Sequence, residues 1–140
     1  MRTPASGLLA RYALTLQLGG AAATVAALTA DRGWLARPEA TLLLLGSIGL
    51  LRALPVRLSK YAFLTQTAVP VLAGTLTIGL APVLAALYVG TLAADTLWLR
   101  KSFRSASINA GREALVLLAA YGFLGATHVL TGRPAPGLEV

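Results

Sequence analysis

The chain has 140 residues, of which 56% are hydrophobic and 12% charged, with a formal net charge of +7, one histidine and no cysteine. Without cysteine there are no disulfides, thiolate metal sites or cysteine nucleophiles, and one histidine excludes the paired-histidine zinc motifs. A mean hydropathy of +0.73 lies far above that of a soluble domain and points to lipid as the solvent.

In chain order, the first membrane span is expected over 12–30. Its lead, MRTPASGLLAR, is basic and runs into apolar residues as a signal peptide does. The apolar run is longer than a signal-peptide core, however, so the segment is expected to stay as a helix. A second span is expected over 38–54. Only fourteen residues separate Arg37 from Arg52, so it crosses if those side chains extend to the interfaces, a re-entrant segment being the alternative.

Residues 61–94 form a stretch of thirty-four without Asp, Glu, Lys, Arg or His. A crossing takes about 20 residues, with a lower limit of roughly 17, so this run is too long for one span and suffices for two short ones. Gly79-Leu80-Ala81-Pro82 marks the division, because glycine ends helices at positive φ and proline fits a first helical turn. A tight hairpin with arms at 61–78 and 82–99 follows, and Pro70 inside the first arm is expected to kink it. The last span is expected over 107–130, leaving 131–140 (TGRPAPGLEV) as an irregular tail. The fold class expected is all-α, a polytopic transmembrane bundle of about five spans in one membrane domain.

Loop charge tests that count independently of hydropathy. Arg2 and Arg11, then Arg52, Arg57 and Lys60, then Arg100, Lys101, Arg104 and Arg112 make nine of the twelve basic residues, and they fall on alternate connections. Cytoplasmic loops collect such residues, which places the N-terminus inside and the C-terminus outside. Tyr12, Tyr61 and Trp98 then sit at inner boundaries and Trp34 at an outer one, where amphipathic rings meet headgroups. Arg100, Lys101 and Arg104 can also meet anionic lipid. Nucleic acid is a poor partner for basic residues spread over several loops without a stacking platform.

Small residues are expected to bring helices together: Ala86, Gly90 and Ala94 recur every four residues in the fourth span, and Gly122 with Ala126 in the fifth. Asp95, Arg112 and Glu113 are the ionisable residues nearest membrane depth and hence the default site candidates. An ion pair between Asp95 and Arg112 across the last hairpin is the structural reading, with a ligand or proton site built from the same residues as the functional one. Asn109, Gln17 and Gln66 can hydrogen-bond between helices. His128 is the residue able in principle to ligate a pigment or haem metal, against the commoner case of a solvated interfacial histidine. No cofactor is expected.

The segments LPVRLSKYAFLTQTAVPVLAG, LAPVLAALYVGTLAADTLWLRKS and SASINAGREALVLLAA, within about residues 54–122, resemble the multi-helix membrane region ahead of bacterial HD-type phosphohydrolase and diguanylate-cyclase output domains. Ile108-Asn109-Ala110-Gly111 matches the opening of a helix in that group, where Arg112 replaces a glutamine. The metal-binding residues and cyclase signature of the output enzymes are absent from this sequence. The resemblance implies a membrane input or anchoring module. The function expected is a non-catalytic subunit of the bacterial inner membrane that packs against a larger complex, in contact with lipid and other membrane proteins. The alternatives are a small-molecule binding or transport component that uses polar residues near the cytoplasmic face, and a signalling input domain without its output enzyme.

Overall fold

Proline and glycine set most of the helix boundaries. In the computed structural model, which describes residues 4–54, 56–57, 63–64 and 66–131, helix α1 (Pro4–Ala30) begins on a proline and α2 (Pro38–Ala53) carries Pro38 at its first position. Proline fits there because the missing N–H belongs to a donor with no helical partner. A 3-10 turn (Gly33–Ala36) joins the two. Two-residue strands β1 (Val56–Arg57) and β2 (Phe63–Leu64) pair antiparallel, Val56 opposite Leu64 and Arg57 opposite Phe63. Helices α3 (Ala68–Thr77), α4 (Leu80–Ala93) and α5 (Phe103–Thr131) follow, with α4 prolonged by a π-helical turn, Ala94–Trp98.

The hairpin turn stands where the sequence places it. Gly79 has φ +92, a region that side-chain-bearing residues rarely adopt, and α4 starts directly after it at Leu80, two residues before the expected Pro82. The first arm departs from expectation. Instead of a helix over 61–78, the chain forms β2 and then a ten-residue α3, about 15 Å long against a hydrocarbon core of roughly 30 Å. Pro70 explains why. It is the third residue of α3, where its lost N–H costs nothing, and a helix continued backward would set its ring against the carbonyl four residues earlier. The expected kink is therefore a helix start.

Paired contacts give the relative directions of four of the helices. Gln17 meets Ser107 and Gly20 meets Gly111, so α1 and α5 run parallel. Gly49 lies by Gly90 and Arg52 by Asp95, so α2 and α4 run parallel as well. α4 packs against each of the other four helices, and its residues are buried on nearly every side. The core gathers Leu44 and Ile48 of α2, Val71 of α3, and Val83, Ala86 and Leu87 of α4.

Small residues set the closest approaches. A methyl group on Gly90 would stand 3.2 Å from Ile48 and 3.3 Å from the Leu45 carbonyl, and Ala86 and Ala94 are buried on the same helix. The expected stripe on α5 finds no packing partner among the described residues: Gly122 has nothing within 4 Å of its missing side chain, and Ala126 is exposed. The small residue that matters on α5 is Gly111, whose Cα and carbonyl press on Gly20 and whose missing side chain leaves room for the Leu16 carbonyl. Among the described residues, two helices, Gly7–Ala30 and Leu80–Trp98, are long and apolar enough to cross a membrane.

A buried charge cluster as the candidate functional site

The buried face of α2 reads Leu44, Ile48, Arg52, a spacing of four that keeps all three on one stripe. It starts apolar and ends in a cation. Arg52 is 8% exposed and lies in the last turn of α2, where a positive charge also suits the negative end of the helix dipole. Asp95, in the π-helical turn that ends α4, is completely buried.

Four donors converge on that carboxylate. Arg52 straddles it, Nε to Oδ1 at 3.2 Å and Nη2 to Oδ2 at 3.4 Å. Lys101 Nζ reaches Oδ2 at 3.0 Å and Asn109 Nδ2 reaches it at 2.6 Å. Lys101 binds Asp95 a second time, its N–H donating to the Asp95 carbonyl at 2.8 Å. The loop between them turns through Arg100 at φ +49, a left-handed conformation that costs an L-residue roughly 1 to 2 kcal/mol. Wide π turns accommodate such irregular backbone, and here the turn brings Asp95 inward while Lys101 closes over it.

Glu113 forms the second anionic centre. Its Oε1 accepts from Arg52 Nη1 at 3.4 Å and from Arg112 Nη2 at 2.9 Å. Three elements thus share one network, with α2 supplying Arg52, the end of α4 supplying Asp95, and α5 supplying Asn109 and Glu113. A fully buried ion pair persists only when its hydrogen-bonding groups find partners, and each carboxylate oxygen of Asp95 accepts at least one bond from this chain's own donors.

The expected Asp95–Arg112 pair does not form. Arg112 turns to its neighbour Glu113 with its side chain 53% exposed, while Asp95 takes Arg52 and Lys101. Asn109, on the face of α5 that meets Asp95, takes the carboxylate together with Arg52 and Lys101. Asp95, Asn109 and Glu113 are brought together; Arg112 sits at the rim. His128 lies in the last turns of α5, and its side chain falls outside the described residues. Gln17 joins α1 to α5 by donating to Ser107 Oγ at 2.6 Å, and Gln66 is exposed.

Arg52 is the member that the sequence reading assigned to a loop. Its signal was present: if helices alternate in direction, the ends of α2 and α4 and the start of α5 share one face, and a buried carboxylate there requires a cation. One polar group nearby stays alone. Thr91, one helical turn before Asp95, is fully buried, and its hydroxyl has no hydrogen-bond partner among the described residues. No group of three or more His, Cys, Asp or Glu able to hold a metal ion occurs among the described residues. No family model, curated protein or solved structure matches the chain, so its function is argued from this geometry.

Proposed function

We propose that the chain is an integral membrane module, its five helical segments alternating across a cytoplasmic membrane from an inside N-terminus, and that it serves as a non-catalytic anchoring or regulatory subunit of a larger membrane assembly. The observation that carries this reading is an inverted distribution of polarity. Leucines and other large apolar side chains cover the outside, among them Leu8, Leu18, Leu43, Leu72 and Phe123, each more than 60% exposed, while Arg52 and Asp95 are inside. Water would penalise that arrangement and lipid favours it. The two long apolar helices support the same reading.

Parallel pairing of α1 with α5 and of α2 with α4 agrees with segments that alternate in direction. The third passage uses a half-length helix, which a bilayer tolerates where neighbouring protein covers the backbone. A self-satisfied charge cluster fixes how α2, α4 and α5 are rotated, and such a role suits a scaffold better than a catalyst. Carbonate washing of membranes from expressing cells tests the assignment. The chain is expected to remain in the membrane pellet, and its release into the wash would remove the reading.

A further inference from the structure

At the end of the bundle opposite the charge cluster, the α1–α2 connection meets the α3–α4 turn around a cleft of about 260 Å³. Asp31, Trp34 and Arg37 line it from one side, and Thr77, Gly79 and Pro82 from the other. The Asp31 carboxylate is half used: Oδ1 accepts the Gly33 N–H at 2.8 Å, and Oδ2 faces Gly79, where a methyl group would stand 3.7 Å away. Arg37 engages its backbone, donating to the Trp34 carbonyl and accepting from the Thr41 hydroxyl. Its guanidinium makes no ion pair among the described residues, although a carboxylate lines the same cleft.

We propose that this cleft binds a small zwitterion that carries both an ammonium and a phosphate, of the phosphoethanolamine type. Two residues of opposite charge that line one concavity without pairing to each other select for a ligand with both. A simple anion meets Asp31 and a simple cation meets Arg37, each a repulsion that works against the wrong ligand. The other groups fit the same division. Thr77 donates its hydroxyl proton to the Ala73 carbonyl at 2.8 Å, which leaves its oxygen to accept from an ammonium beside Asp31 Oδ2. Trp34 donates its indole N–H to the Leu28 carbonyl at 3.3 Å, which holds the ring as an aromatic wall that a cation can approach. A guanidinium is the side chain best shaped to grip a phosphate through two parallel N–H donors. The cleft is smaller than most drug-sized sites, which suits a headgroup and little more.

The inference rests on the membrane reading for its source of ligand, since that reading sets the cleft at the outer headgroup level. The same chemistry also exists in free phosphoethanolamine. The test uses the full chain purified in detergent, titrated separately with phosphatidylethanolamine in mixed micelles, with phosphatidylglycerol, which has no amine, and with free phosphoethanolamine, with binding read by thermal shift and by native mass spectrometry. Asp31→Asn keeps the acceptor for Gly33 and removes the charge; Arg37→Gln removes a guanidinium that has no hydrogen bond or ion pair among the described residues, so the fold is retained. Each substitution is expected to weaken binding of the zwitterion about tenfold, the loss of one charged hydrogen-bond partner. Tighter binding of the lipid than of the free headgroup assigns the membrane as source, and equal binding assigns a soluble zwitterion; both support the site. Equal binding of phosphatidylglycerol, or two variants that bind as the parent does, overturns it. A parent that withstands carbonate washing yet binds no zwitterion overturns the site and leaves the membrane assignment standing. Release by carbonate, with free phosphoethanolamine still bound, does the reverse.

Discussion

Asp95 is the residue around which one end of the bundle is organised, and its partners rank by burial. Removing one member of a buried pair leaves a desolvated charge uncompensated, at about 3 to 5 kcal/mol. Asp95→Asn and Arg52→Gln are each expected to lower thermal stability in detergent by an amount of that order, and the double variant should lose less than the sum. Arg112 lies at the rim, half exposed, and an exposed ion pair is worth about 0 to 1 kcal/mol. Arg112→Gln should therefore leave the melting temperature nearly unchanged. A large loss there, with strict additivity between Asp95 and Arg52, would show that the geometry has the wrong partner. Thr91 gives a prediction of opposite sign. Its buried hydroxyl is unsatisfied, an arrangement that costs about 1 to 3 kcal/mol, and valine has the same shape without the polar atom. Thr91→Val is expected to raise the melting temperature in the same assay.

At the scale of helices, packing depends on where glycine permits backbone contact. Gly20 and Gly111 place α1 directly on α5, so a side chain at either position must push the helices apart. Gly111→Leu is expected to cost at least about 1 to 3 kcal/mol, the usual penalty of overpacking, and to expose Gln17 and Ser107 at the separated interface. Gly122→Leu, with open space around it, should change the stability of the isolated chain little. Thermal unfolding of the two variants side by side reads the difference, and a Gly122 variant that loses as much as the Gly111 variant would contradict the helix arrangement. The same logic separates α3 from the other helices. It is short, its main packing partners are α2 and α4, and Val69, Leu72 and Leu76 point outward.

For the whole molecule, the distribution of charge predicts which end faces which compartment. Ser102 lies in the loop beside Lys101 at the end that carries the charge cluster, and Leu35 is exposed in the connection at the other end. In intact cells, a cysteine at Leu35 is expected to react with an impermeant thiol reagent added outside, and a cysteine at Ser102 only after the membrane is opened. Labelling of both, or of Ser102→Cys alone, would reject the proposed topology. Because the natural chain has no cysteine, each label reports one position.

Composition and local punctuation determined a large part of this protein without reference to tertiary contacts. Hydrophobic run lengths, Pro38, Gly79 and the uncharged stretch before Asp95 sufficed to place α2, the α3–α4 turn and α4, because helix ends depend on nearby backbone chemistry. The same residues marked Asp95, Asn109 and Glu113, since ionisable groups are rare in apolar runs. Tertiary structure alone decided their partners. Which cation meets Asp95 depends on helix rotation, and rotation is set by the contacts of Gly90 with α2 and of Gly111 with α1, between residues far apart in the chain. The strand pair before α3 was likewise invisible to hydropathy, which scores an apolar strand and an apolar helix alike. The cleft around Asp31 and Arg37 exists because two connections meet in space, and no single stretch of sequence contains it.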